Sequence, residues 1–261
     1  MTDPIRVYSA HKDHDELIKL GIRCNTAEKT ENKICIDQKL TKKDRNELLT
    51  IYFCGDNNSI QIHGNELPVG SISFMGNDSS VRIYRENDVN INVFLYDRSN
   101  LYIEKSFSIF GLFASIYSNT TLRIRENCLI ANDVKIWTFD HHAIIDLKTM
   151  KQRNFPQDVD IGPHVWIGES SQILKGTRIE VGSIISAGAI VRGLIPSREL
   201  WGGNPARRVR RHMSWTPSHP TNTYDLNVML ASMPDDQSNW SRFKERLKKL
   251  LSRRSAARQR P

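Results

Sequence analysis

Six β-branched aliphatic residues stand at a fixed step of six along one stretch of the chain: Ile161, Ile167, Ile173, Ile179, Ile185 and Val191. Gly162, Gly168, Gly176, Gly182 and Gly188 recur between them, and the same step appears earlier as Ile124, Ile130 and Ile136. A period of six is neither the 3.6 of a helix nor the 2 of a flat strand. A coil of three short strands joined by turns does fit. It uses about 18 residues per circuit and turns one aliphatic per hexad inward. Stacked coils bury those aliphatics in columns, while parallel hydrogen bonds join coil to coil. Glycine suits the corners, where a positive φ is needed.

A looser version precedes it. Ser59–Ile62, Ser80–Ile83, Asn100–Ile103 and Thr121–Ile124 are alike, and their last residues lie 21, 20 and 21 apart. They read as further coils with small insertions, each introduced by the Asn and Ser of turn chemistry. The expected architecture is therefore all-β, a parallel β-helix over 51–211. Residues 1–50 are polar and mixed, with one short helix around Asp13–Leu20, and are expected to cap the open first coil. Residues 212–261 read as a linker punctuated by Pro217, Pro220 and Pro234, then a helix.

That last helix explains the charge. From Trp240 to Pro261 nine basic residues face the single acid Glu245, so the whole net charge of +8 sits in the tail and the rest of the chain is formally neutral. Trp240, Phe243, Leu247 and Leu250/Leu251 recur at helical spacing, which makes this a basic amphipathic helix. It suits docking on an anionic inner-membrane surface, packing against the β-helix or a partner subunit, or weak nucleic-acid association. A neutral body argues against nucleic acid as the partner of the domain itself. No apolar run is long enough to span a membrane, and the N-terminus carries no secretory pattern. The expected location is the cytoplasm, with peripheral contact at the inner membrane. Cys24, Cys35, Cys54 and Cys128 show no paired spacing, so buried free thiols are expected rather than disulfides or zinc.

Three local motifs resemble those of the hexapeptide-repeat acetyltransferases, the group of left-handed parallel β-helices that includes serine, galactoside and maltose acetyltransferases. They are Val165-Trp166-Ile167-Gly168, Ile185-Ser186-Ala187-Gly188-Ala189-Ile190-Val191, and Gly203-Asn204-Pro205-Ala206-Arg207-Arg208-Val209-Arg210. Within that group Phe139-Asp140-His141-His142-Ala143-Ile144-Ile145-Asp146 is similar to the signature of surface-polysaccharide and lipopolysaccharide O-acetyltransferases, with Phe139 in place of the usual serine. The resemblance covers about residues 120–215.

The resemblance implies acetyl transfer from acetyl-CoA to a sugar hydroxyl of a glycan or its precursor, in a homotrimer whose clefts hold the sites. N-acetylation of an amino sugar, and a non-catalytic scaffold, are the alternatives. The family places the general base at His142, with a neighbouring carboxylate, Asp140 or Asp146, to orient it. A galactoside-type register would move the base to His141. Ala187 and Gly188 match the small-residue site beside the pantetheine arm, Arg192 is nearby, and Arg207 and Arg210 match residues that approach the nucleotide phosphates. Trp166, within the Val-Trp-Ile-Gly motif, is a candidate to line the active site or thioester channel, its indole N–H a candidate donor to the carbonyl oxygen. Plain corners, surface charge and packing are the structural alternatives for these positions. His164 reads as an exposed turn residue. Adjacent His141 and His142 have no third ligand at suggestive spacing, so no metal is expected. The polar stretch Leu147–Asp160 breaks the hexad rhythm and reads as an excursion that shapes the acceptor pocket beside a neighbouring subunit.

Overall fold

The computed structural model describes residues 5–26, 30–37, 40, 49–85, 87–219, 223–233, 245 and 249. The basic helix expected around Trp240–Leu251 lies almost wholly outside the described residues; of it only Glu245 and Lys249 are described, both helical and exposed.

The chain opens with β1 (Ile5–Ser9), α1 (His14–Leu20), β2 (Ile22–Thr26) and β3 (Lys33–Asp37). α1 ends at Gly21, whose φ of 91° is the left-handed cap that only glycine adopts without cost. Leu17 on this helix is fully buried. Coils then follow as pairs of strands: β4 (Leu49–Phe53), β5 (Ser59–Gly64), β6 (Val69–Phe74), β7 (Ser80–Arg85), β8 (Val89–Leu95), β9 (Asn100–Ile103), β10 (Ser108–Ile116) and β11 (Thr121–Ile124). Odd-numbered strands from β3 to β11 form one parallel ladder and even-numbered strands from β2 to β10 a second. The parallel stacking thus begins at Ile22, inside the N-terminal segment. β1 adds to β3 antiparallel and ends that ladder.

The nine-residue β10 makes the transition to three sides. Its first part pairs with β12 (Leu129–Ile130) and its second part with β13 (Val134–Trp137), with a register shift between Ile109 and Leu112. Beyond the hairpin β14 (Ile145–Asp146) and β15 (Lys151–Gln152), each circuit has three short strands: β16 (Val159–Ile161), β17 (Trp166–Ile167) and β18 (Gln172–Ile173), then β19 (Arg178–Ile179), β20 (Ile184–Ile185) and β21 (Ile190–Val191). The stack ends with β22 (Leu194–Ile195), β23 (Glu199–Gly202) and β24 (Arg207–Arg211), the last pairing antiparallel with β23, and then α2 (Thr223–Ser232).

The hexad residues do what their spacing requires. Ile36, Ile62, Ile83, Ile103, Ile124, Ile161, Ile179 and Ile195 are successive register partners in the first ladder, and every one is buried. This column of eight isoleucines is the spine of the molecule. Ile130, Ile167 and Ile185 form a second buried column and Ile136, Ile173 and Val191 a third. β-Branched side chains are stiff and fit a pleated surface, and burying each contributes about 1.5–3 kcal/mol. Turn asparagines also behave as expected. Buried Asn58 donates from Nδ2 to the Gly76 carbonyl one coil on and accepts the Ser79 N–H at Oδ1.

Candidate active site

The excursion separates two coils. Ile124 pairs with Ile161, 37 positions later, whereas Ile161 pairs with Ile179, 18 later. The added residues leave the stack after β13 and return at Val159, so the excursion begins before the polar stretch that marks it in the sequence. Ile144 and Ile145 have the residue type of a hexad but are exposed, because this part of the chain is off the stack. At its tip Asp146 accepts the Lys148 and Thr149 N–H groups at Oδ1, and Arg153 Nη2 lies 2.5 Å from its Oδ2. The Asp146 carboxylate builds the hairpin and touches neither histidine.

His141 and His142 lie at the root of the excursion, both exposed. His141 has φ of 63°, and its ring packs 4.2 Å from that of Phe139. Phe139 stacks on Tyr117 at 4.6 Å and meets the edge of Tyr96 at 5.8 Å. The phenylalanine that replaces the signature serine thus fills an aromatic pile along one corner. His142 has no ring partner among the described residues. Its N–H donates to the Asp140 carbonyl at 2.7 Å. Neither imidazole is hydrogen-bonded to any described residue.

The Asp140 carboxylate is engaged elsewhere. Its Oδ2 is paired with Lys175 Nζ and accepts from Asn154 Nδ2 at 2.9 Å. Burial pushes this carboxyl up, but Lys175, Asn154 and the charge of Arg192 outweigh it and hold it below the usual carboxylate range. Lys175 is only 8 % exposed. It follows β18 as Arg192 follows β21, one coil on, so Asp140, Lys175 and Arg192 share one corner. Lys175 and Asn154 are site residues that the sequence does not reveal. Asp140 and Lys175 are 35 positions apart, and a buried ammonium leaves no periodic trace.

The remaining candidates lie at another corner. Ala187 and Gly188 follow β20 and are exposed. A Cβ on Gly188 (φ 70°) would meet nothing within 4 Å, while one on Gly168, a coil below, would stand 2.5 Å from the Ala187 nitrogen. One glycine is required by close stacking and the other leaves an open backbone-lined strip. Gly188 N–H donates to the Glu169 carbonyl and Ile190 N–H to that of Gly203, so the strip runs from coil to coil. Trp166 faces outward from β17, and its Nε1 has no hydrogen-bond partner among the described residues. Arg207 and Arg210 are exposed on β24. Arg208 and Arg211 lie 3.7 and 3.5 Å from buried Glu199, whereas neither Arg207 nor Arg210 has a carboxylate partner among the described residues. Within one chain no hydrogen bond or ring contact joins either histidine to Trp166, Ala187, Gly188, Arg207 or Arg210. The short third ladder of β13, β18 and β21 separates the two corners.

His164 departs from expectation. It is buried, with 3 % exposure, because the chain after β24 folds back and lays Trp215 across it. Cys24 and Cys128 are buried and their thiols are pushed up to about 12 by burial, but Cys54 is exposed. Among the described residues no group of three or more His, Cys, Asp or Glu could hold a metal ion, and no helix is long and apolar enough to cross a membrane.

No protein-family model matches the chain. Residues of the chain are 28 % identical over 135 positions to a polysialic acid O-acetyltransferase of Escherichia coli O1:K1, covering 52 % of this chain and 44 % of that protein. The chain thus spans less than half the length of this relative. A putative lipopolysaccharide biosynthesis O-acetyl transferase, WbbJ, of Escherichia coli K12 is 27 % identical over 150 positions, covering 53 % of this chain and 76 % of that one. In three dimensions the chain is similar to the crystal structure of the polySia-specific acetyltransferase NeuO, with a TM-score of 0.66 and 23 % identity over 87 % of this chain and 97 % of that one. The chain shares the parallel β-helix fold of NeuO, and about half of it is similar in sequence to these O-acetyltransferases.

Proposed function

We propose that this protein is an acetyl-CoA-dependent O-acetyltransferase on a left-handed β-helix, transferring acetyl to a sugar hydroxyl of a surface glycan or its precursor. The observation that carries the reading is an exposed His142, its imidazole without a hydrogen-bond partner among the described residues, on a turn anchored through Asp140 to a buried lysine, in a fold shared with a polysialic acid acetyltransferase. The His142 imidazole takes the proton of the acceptor hydroxyl as its oxygen attacks the thioester carbonyl. The Trp166 N–H, without a hydrogen-bond partner among the described residues, suits the developing oxyanion. Collapse breaks the carbon–sulfur bond, and the imidazolium returns its proton to the departing thiolate.

The separation of the corners supports a homotrimer. The histidine corner of one subunit would face the Ala187–Gly188 strip and the Arg207 and Arg210 guanidiniums of the next, with the pantetheine arm between them and the CoA phosphates at the arginines. His142 is favoured over His141 because the His141 ring is packed on Phe139. The basic tail supports a cytoplasmic protein held at an anionic inner-membrane surface, and β1 with α1, ahead of the first parallel strand at Ile22, is assigned to capping the stack. Incubation with acetyl-CoA and a panel of oligosialic acids, lipopolysaccharide O-chains and amino sugars, read by mass spectrometry, tests the proposal. An acetyl ester on a sugar hydroxyl is expected. Acetyl amide as the sole product, or no thiol release with any acceptor, overturns it.

A further inference from the structure

Asn154 makes three hydrogen bonds to the histidine-bearing turn. Its Nδ2 donates to Asp140 Oδ2 at 2.9 Å and to the His142 carbonyl at 2.7 Å, and its Oδ1 accepts the Ile144 N–H at 2.7 Å. Its orientation is fixed by chemistry, since both partners of Nδ2 are acceptors and the partner of Oδ1 is a donor. The side chain comes from the returning limb of the excursion, 12 positions beyond His142. Asp140 is in turn held by Lys175, which belongs to the stack itself. The side-chain path from the rigid coils to the histidine therefore runs through Lys175, Asp140 and Asn154, beside the backbone that leaves β13. The imidazole has no hydrogen bond to any described residue, so its direction depends on where this backbone is held.

We propose that Asn154 is a positioning residue that fixes the backbone of His142 for proton abstraction. This rests on the reading of His142 as the base. Asp140 then acts on the turn, as the anchor that Asn154 and Lys175 share, rather than on the imidazole. The role demands an amide: a carboxylate has no hydrogen to offer to Asp140 or the His142 carbonyl, and an alkyl group has neither donor nor acceptor.

The test compares Asn154→Ala and Asn154→Asp in the full chain, alone and combined with His142→Ala. Thiol release from acetyl-CoA is followed with oligosialic acid and with water as acceptor. Each single variant should lose about 10²-fold in kcat, the cost of a misplaced catalytic group, with the acetyl-CoA KM within about twofold. Asn154→Asp should be at least as impaired as Asn154→Ala despite matching asparagine in size. In the His142→Ala background neither should lower kcat further, because they act through the missing group. A second measurement needs no acceptor. The ring resonances of His142 in 13C-labelled protein should shift or split in both variants while those of His164 stay fixed. Additive losses, or an unmoved His142 ring, overturn the proposal. A His142→Ala enzyme with the parent rate would instead remove the base assignment and leave the clamp to be judged by the ring spectrum.

Discussion

The indole of Trp215 lies 4.6 Å from the imidazole of His164 and within 10° of parallel, and the two residues bond each other at both ends. Trp215 Nε1 donates to the His164 carbonyl at 2.9 Å, and His164 Nε2 lies 3.1 Å from the Trp215 carbonyl. This plate ties the segment after β24 to the side of the stack. α2 follows it, with Leu230 and Met233 packed on Val181.

The plate makes stability sensitive to acid. Burial pushes the His164 imidazole down from 6.5 to about 4, against the opposing pull of the Trp215 carbonyl. Above pH 6.5 neither the folded nor the unfolded state binds this proton. Below it the unfolded chain takes the proton first, so stability falls as pH drops and levels off once the folded state is protonated near pH 4. The loss across that window is about 3 kcal/mol. The melting temperature should fall between pH 7 and pH 4 more steeply in the parent than in His164→Leu. Equal slopes would show that His164 does not titrate in this way.

His142→Ala should lower kcat by about 10²–10⁴-fold with little change in melting temperature, because the side chain is exposed and makes no contact that folding needs. His141→Ala should cost much less in rate. It removes a ring packed on Phe139, so some stability goes with it. Steady-state kinetics of the two variants side by side settle the register, and the reverse order of effects would place the base at His141.

The stack was legible because it is periodic. Eight isoleucines that pair up the first ladder differ in spacing, but each occupies the same place in its coil, and inward burial admits few other residue types. Ile144 and Ile145 show the limit, since the same residue types occur off the stack. The site was half legible. Asp140 and His142 stand in a recognisable string, but the partners of Asp140 are held by the return of the excursion and by the coil beyond it. Such pairings depend on how far a non-repeating segment travels before it rejoins, and no local pattern records that distance. His164 was misread for a related reason: the Trp that covers it is 51 positions away.

The inward columns should be far less tolerant than the faces they support. Ile167→Ala removes a fully buried side chain between Ile130 and Ile185 and should cost about 2–5 kcal/mol. Gln172→Ala, on the outward side of the neighbouring β18, should stay within about 0.5 kcal/mol of the parent. Denaturant midpoints with unchanged m-values measure both.

Gly188 separates a structural corner from a binding strip. Its φ of 70° is accessible to asparagine at modest cost, and the space around its missing Cβ is open. Gly188→Asn should therefore fold with a melting temperature near the parent's, yet place a side chain where the pantetheine arm is assigned. The expected result is an acetyl-CoA KM raised at least about tenfold, equivalent to about 1.4 kcal/mol of lost binding, with the acceptor KM little changed. An unchanged KM would leave Gly188 as a corner residue and move the strip elsewhere.

The excursion carries apolar side chains that no described residue buries: Leu147 is 83 % exposed, Met150 73 % and Phe155 62 %. The hairpin is held internally by Asp146 and Arg153, so these side chains are not needed to fold it. Exposure on this scale beside a candidate site fits a surface covered by a neighbouring subunit. Leu147→Asp combined with Met150→Asp should leave the coils intact by circular dichroism, weaken the proposed trimer in sedimentation, and raise the acceptor KM far more than the acetyl-CoA KM. Both KM values rising together would tie the excursion to general assembly rather than to the acceptor. Unchanged sedimentation with parent kinetics would mean that these side chains face solvent in the assembled protein.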